Sequence, residues 1–320
     1  MADTAAGTAD TAADTAGGTA SAAGAAADRE PCEMLAWDSA HFARRIARVR
    51  GRVLTRGSLA RIDDWAASRR VDCLYLLADP GDPATAPLAE AAGFRLVDVR
   101  ITLERTAAGA TPTSHPAPGA AAVRPAVPAD LAELRRIAAA SHRDSRFYAD
   151  PHFPRERCDE LYAAWIAGSC DDPAGTVLVA VEAAPDARGG TAAAARDAAA
   201  GGTPGGVPVG YITAALEPDG GGRIGLFAVG ESARGRGVGS RLIGAALDWF
   251  AERGAGPVRV VTQGRNVRAQ HLYQRAGLLT SAVELWFHRW HAGGADDAGD
   301  ADDAGDAGAR GDGDDSTAWS

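Results

Sequence analysis

Residues 224–241 read IGLFAVGESARGRGVGSR, and the order of their parts decides the fold. An apolar strand, Ile224–Val229, runs into Arg234-Gly235-Arg236-Gly237-Val238-Gly239, and a helical pattern begins at once. Glycine lets backbone N–H groups approach a ligand with no Cβ in the way. The free amides and dipole of the helix N-terminus behind them favour phosphate. Arg234, Arg236 and Arg241 add positive charge, so a diphosphate is the natural guest. A dinucleotide fingerprint needs GxGxxG and an acidic residue ending the next strand. Neither is present here, because the glycine spacing differs and the strand at 258–262 ends without an acid. A P-loop needs Gly-Lys-Ser/Thr, and all 33 basic residues are Arg.

A second informative stretch follows at 266–278, NVRAQHLYQRAGL. Asn266 is a natural helix N-cap, and Gly277 a natural stop. Tyr273 shares the Asn266 face two turns on. Its phenol keeps its proton at neutral pH. His271 reads as solvent-facing or structural.

Working outward, residues 122–290 order as helix, helix, hairpin strands, then strand–helix–strand–helix–strand. The spacing predicts helices over 128–140, 158–167, 238–253 and 266–276, and strands over 177–182, 209–215, 223–229, 258–262 and 283–289. Residues 31–105 form a smaller block. It opens on Leu35–Phe42 and carries an amphipathic stretch at 58–69, a buried strand at 73–77 and an alternating strand at 94–103. We therefore expect a mixed-sheet α/β fold. A small N-terminal α/β domain (31–105) joins through a Pro/Ala linker (106–121) to a larger domain (122–290) with a flexible insertion at 184–207. Tails at 1–30 and 291–320 are too poor in bulky side chains to order.

The chain has 320 residues and a net charge of −9. The C-terminal tail holds −8 of this and the N-terminal tail −4, which leaves the rest at +3. That welcomes an anion but is too weak to argue for nucleic acid. No run of 18 apolar residues exists to span a membrane. The N-terminus is acidic where a signal peptide is basic, and the four cysteines lack metal spacing and read as thiols of a reducing cytoplasm. HExxH and EF-hand patterns are absent, and no metal is expected.

Both motifs resemble the acyl-CoA site of the GNAT acetyltransferases. Arg234, Gly237 and Gly239 match the family's [Gln/Arg]-x-x-Gly-x-[Gly/Ala], and 266–278 resembles its Asn-x-x-Ala-x-x-Leu-Tyr-x-x-x-Gly-Phe, with Leu278 for Phe. The resemblance implies the GNAT fold and acetyl-CoA as cosubstrate. Arg234 and the backbone of Gly235, Arg236, Gly237, Val238, Gly239 and Ser240 would hold the pyrophosphate. Phe227, Ala228 and Val229 would bind the pantetheine arm, with Asn266 beside it, and Tyr273 would be the acid. Direct acetyl transfer to a neutral amine follows, with strand amides near Phe227–Val229 serving the oxyanion. The base is open among Glu217, Glu231, His142 and Asp144.

Shorter strings resemble one branch of the family, which acetylates the 4-amino group of a dTDP-linked amino-dideoxy sugar. They include Trp37-Asp38-Ser39-x-x-Phe42, Ser145-Arg146-Phe147, Gly210-Tyr211 and Leu285-Trp286-x-x-Arg289. Arg146, Phe147 and Tyr211 are the candidate acceptor-binding residues. Arg143 and Arg155 are further candidates for phosphate, and Tyr148 and Phe153 for stacking on the base. The alternatives are a GNAT enzyme acting on a protein N-terminus, a Lys or a small amine, and a non-catalytic acyl-CoA-binding module. The final strands are expected to be available for pairing across a homodimer.

Overall fold

A computed structural model describes residues 30–106, 121–183 and 206–291. Nearly all of the expected disordered tails, of the linker and of the insertion lies outside the described residues. Ten strands form one mixed sheet: β1 (Cys32–Met34), β2 (Ile46–Val49), β3 (Cys73–Ala78), β4 (Arg95–Arg105), β5 (Ala122–Pro125), β6 (Gly175–Ala183), β7 (Gly206–Leu216), β8 (Gly222–Val229), β9 (Val258–Gln263) and β10 (Leu279–Trp290). The helices are α1 (Ala36–Phe42), α2 (Arg56–Ser68), α3 (Thr85–Ala91), α4 (Leu131–Ala140), α5 (Arg146–Ala149), α6 (Arg155–Asp171), α7 (Val238–Glu252) and α8 (Val267–Arg275).

The strand order is β1-β2-β3-β10-β4-β9-β8-β7-β6-β5. Pairs β2/β3 and β8/β9 are parallel and all other neighbours antiparallel. The last strand lies between two strands of the N-terminal block, β3 and β4. Leu285–His288 of β10 is paired on both edges, whereas Leu279–Glu284 pairs with β4 alone.

One discontinuity positions the site. The parallel pair β8/β9 covers only Gly222–Ile224 against Val258–Val260. Beyond it, β8 continues along β7 as far as Val229, while β9 continues along β4 as far as Gln263. The sheet splays into a V, and the inner edges of both strands are left without a strand partner.

Alternating side chains sort the core onto two faces. Tyr75, Val179, Tyr211, Ala228 and Trp286 pack on one face under α4, α5 and α6, with Phe42 of α1. On the other face, Ile212, Ile224 and Val260 pack under α7 and α8, and Leu74, Leu76 and Phe287 pack under α2 and α3. A buried carboxylate, Asp150, ties the loop before α6 to β10. It accepts from His288 Nδ1 at 2.7 Å, Trp290 Nε1 at 2.9 Å and His152 Nδ1 at 2.8 Å. Burial by itself would raise this carboxyl, but the three donors outweigh it and hold the group well below the usual range.

Candidate active site

A cavity of about 1410 Å³ occupies the V and opens toward both faces of the sheet. Its α7 side is built by the glycine loop. Gly235 and Gly237 have φ of +76° and +79°, a left-handed conformation that disfavours any other residue. A Cβ on either would meet nothing within 4 Å, so the space above the loop is free for a ligand. Gly239 is needed for a different reason, because a Cβ there would lie 3.2 Å from both Leu272 and Phe227. The amides from Val238 onward have no carbonyl one turn back to bond. The first backbone bond of α7 runs from Arg241 N–H to Gly237 O, at 3.2 Å.

The lip of β8 presents its backbone selectively. Gly230 N–H bonds Val209 O at 2.8 Å, and Leu226 N–H bonds the Thr213 hydroxyl at 2.8 Å, so even-numbered residues turn toward β7. By alternation, Phe227 and Val229 turn their N–H and C=O toward the gap, while Ala228 turns its own toward β7. Thr213 sits at a register shift in the β7/β8 ladder, which frees its hydroxyl for this bond.

The three loop arginines part company. Arg234 lines the cavity and donates from Nε to Val229 O at 3.1 Å. Arg236 turns away to an ion pair with Glu182 at 2.9 Å, so its contribution to the loop is its backbone. Arg241 donates to Ala121 O at 2.8 Å. The exposed side chains of Arg268 and Arg275, seven residues apart on α8, line the cavity instead. Their spacing places them on one helix face, a periodicity visible in the sequence itself.

Asn266 caps α8 as expected, accepting from Ala269 N–H at 3.1 Å. Gln270 ties α8 to the end of β9 through Gln263 O at 3.1 Å and Gly264 O at 2.9 Å. Tyr273 lines the cavity, buried beside Phe227 with ring centroids 6.1 Å apart. Burial pushes its phenol further above neutral pH, so it enters any reaction as a proton donor.

The opposite side of the cavity is aromatic and mixed in charge. Trp37, Tyr162, Trp165 and Trp286 line it. Arg146, buried and lining the cavity, lies over Phe147 at 4.2 Å, Trp286 at 4.4 Å and Tyr75 at 4.9 Å. Its planar cation is held by ring faces. Phe147 also contacts the cavity but belongs mostly to a cluster with Phe42, Phe153 and Trp165. Arg143 and Asp144 line the cavity, whereas Arg155, Tyr148 and Phe153 do not.

Tyr211 is fully buried and does not line the cavity; it acts on the wall through His142. The two side chains meet at 3.0 Å between the hydroxyl and Nε2. A sealed hydroxyl with this partner donates its proton to it, which leaves the neutral imidazole protonated on Nδ1. His142 holds a φ of +59° and stacks on Tyr162 at 4.5 Å. Burial pushes the imidazole down to about 4, so it stays neutral and accepts protons poorly.

Of the other expected base candidates, Glu217 is buried in ion pairs with Arg223 at 3.5 Å and Arg259 at 3.3 Å, and Glu231 is exposed on a turn. Neither lines the cavity. The four cysteines do not line it either, and burial raises all four thiols. Among the described residues, no group of His, Cys, Asp and Glu could hold a metal ion, and no helix is long and apolar enough to cross a membrane.

The acetyltransferase (GNAT) family model matches residues 134–278, which hold the glycine loop, the splayed strands and α8. The chain is 28% identical over 265 residues to dTDP-fucosamine acetyltransferase of Escherichia coli, covering 82% of this chain and 99% of that one. A spore coat polysaccharide biosynthesis protein of Bacillus subtilis is 24% identical over 52% of this chain and 50% of its own length. Among solved structures, a GCN5-related N-acetyltransferase from Sphaerobacter thermophilus aligns with TM-score 0.50 at 19% identity, over 77% of this chain and 73% of that one. A functionally unknown protein from Staphylococcus epidermidis aligns with TM-score 0.54 at 14% identity, over 78% and 86%. These two show the fold. With the motif, the splayed strands and the family match in agreement, the chain has the GNAT fold and is an acyltransferase that resembles dTDP-fucosamine acetyltransferase.

Proposed function

We propose that the chain moves an acetyl group from acetyl-CoA directly to a primary amine, the 4-amino group of a dTDP-linked amino-dideoxy sugar. The observation that carries this reading is the gap between β8 and β9. It joins a glycine-and-arginine cradle on one face of the sheet to an aromatic, arginine-bearing chamber on the other. The cradle fits acetyl-CoA through its open left-handed glycines and the unpaired edge of β8. When bound there, acetyl-CoA supplies a thioester acyl group. Arg234, Arg268 and Arg275 face its phosphates, the Phe227 and Val229 backbone faces its pantetheine arm, and Tyr273 keeps a proton for the leaving sulfur.

Two observations support a nucleotide sugar. The cavity exceeds the roughly 300–1,000 Å³ of a single small-ligand pocket. Its acceptor side also offers ring faces and the Arg143 and Arg146 cations, the groups that a base and a diphosphate require. The relative named dTDP-fucosamine acetyltransferase points the same way. Thiol release from acetyl-CoA with dTDP-4-amino-4,6-dideoxyhexoses, free amino sugars and a basic peptide tests the reading. Release with the nucleotide sugars is expected, and release with the peptide alone would overturn the acceptor assignment.

A further inference from the structure

We propose that Asp98 is the acceptor-side base, the carboxylate that receives the amine and takes its proton. The proposal rests on the acetyl-transfer reading above and assigns a group that the sequence did not single out. Asp98 lies on β4 directly opposite Trp286 of β10, so the two side chains share the face that carries Arg146. It also lies just past the end of β9. The β4/β9 pairing stops at Arg100 and Gln263, and the next turn is pinned to β4 by Gly264 N–H to Val99 O at 2.6 Å and Arg265 Nη2 to Val97 O at 2.7 Å. That turn leads into Asn266 and α8, which carries Tyr273. Asp98 and Tyr273 thus line one cavity from opposite faces of the sheet, with the gap between them.

The carboxylate is buried, at 5% exposure, yet lines the cavity. One oxygen accepts the Val99 N–H at 2.9 Å. The other has no hydrogen-bond partner among the described residues and is not sealed from solvent, so it opens on the cavity. The Arg265 guanidinium stands 3.9 Å from the bonded oxygen, too far to hydrogen-bond. Arg146 from α5 and Asp144 from the preceding loop also bear on Asp98. Arg100, on the same face of β4, is occupied by Glu284. Burial raises the carboxyl to about 6, with Arg265 and the Val99 amide pulling against it. A base of that strength is ionised at neutral pH and still able to take a proton. His142 cannot match it, because its proton-accepting nitrogen already holds the Tyr211 hydroxyl.

The balance of the step is complete. The ammonium gives one proton to the Asp98 carboxylate, which frees the nitrogen lone pair. A bond forms between nitrogen and the thioester carbon, the carbon–sulfur bond breaks, and the sulfur takes the Tyr273 proton. The second proton lost from nitrogen returns through cavity water to the Tyr273 phenolate, and Asp98 passes its proton to solvent. One proton is released for each amide formed.

The test compares wild type, Asp98→Asn and Asp144→Asn in full-length protein. It measures acetyl-CoA affinity by titration and steady-state thiol release across pH with the acceptor that wild type uses best. Asp98→Asn keeps an oxygen for the Val99 amide, so acetyl-CoA affinity should be unchanged, which also reports an intact fold. We expect kcat to fall roughly a hundredfold or more, the usual contribution of a general base. The acidic limb of wild-type kcat/KM, centred near 6, should vanish in Asp98→Asn and persist in Asp144→Asn. A raised KM with unchanged kcat would make Asp98 an anchor only and overturn the proposal. So would an acidic limb that disappears with Asp144 instead, or a wild-type profile with no limb near that pH. Turnover by wild type with an unaffected Asp98→Asn defeats this inference alone, whereas no turnover by wild type with any amine defeats the function reading beneath it.

Discussion

Replacing Gly237 by Asp and by Asn separates ligand charge from backbone strain at the glycine loop. Both side chains tolerate a left-handed φ better than most, and a Cβ at this position meets nothing within 4 Å. Each variant should therefore lose only about 1 kcal/mol of stability. The two differ by one negative charge placed where the diphosphate is expected. A charge pair about 4 Å apart is worth about 1 kcal/mol in water and about 4 kcal/mol at a protein surface. Asp should accordingly bind acetyl-CoA between roughly fivefold and several hundredfold more weakly than Asn. Because Gly237 is exposed, the gap should narrow as salt rises, the screening length falling from about 10 Å at 0.1 M to about 3 Å at 1 M. Calorimetric titration at two salt concentrations, with a thermal melt of each variant, provides the measurement. Equal affinities for Asp and Asn, both close to wild type, would refute the placement of the phosphates over this loop.

Two further substitutions probe the walls of the cavity. Tyr273→Phe keeps the packing against Phe227 but removes the proton. Turnover should fall by roughly a hundredfold or more with acetyl-CoA affinity intact, and unchanged turnover would remove Tyr273 as the acid. Tyr211→Phe leaves His142 Nε2 without its donor. The expected loss is about 1–3 kcal/mol of stability in a thermal melt, with a raised acceptor KM and unaltered acetyl-CoA affinity. A melt and an acceptor KM both equal to wild type would show that this hydrogen bond holds nothing in place.

The cradle was legible because it is local. A strand, three glycines and a helix start lie within 18 consecutive residues, and the cap and tyrosine of α8 lie within one helix. The chamber facing it was not, because it is assembled by strand pairing across long separations. Asp98 reaches the site because β4 pairs with β10 on one edge and with β9 on the other, and no local pattern in 94–103 announces those neighbours. The short strands β1 and β2 and the helix α3 escaped for a related reason, since three to seven residues carry too little periodicity to read. Arg236 and Arg241 looked like phosphate ligands from their position beside glycines. Their partners, Glu182 and the Ala121 carbonyl, lie 54 and 120 residues away in the chain. Tyr211 looked like a substrate contact from its short motif, whereas the alternation of β7 turns it into the core beneath His142.

The most direct test of acetyl transfer through the gap is the mass of the acceptor after incubation with acetyl-CoA and the full-length protein. One added acetyl group is expected on the amine of a dTDP-4-amino-4,6-dideoxyhexose, with the free amino sugar converted far more slowly and the peptide left unmodified. Thiol release that leaves every acceptor unmodified, or acetylation confined to the peptide, would contradict it.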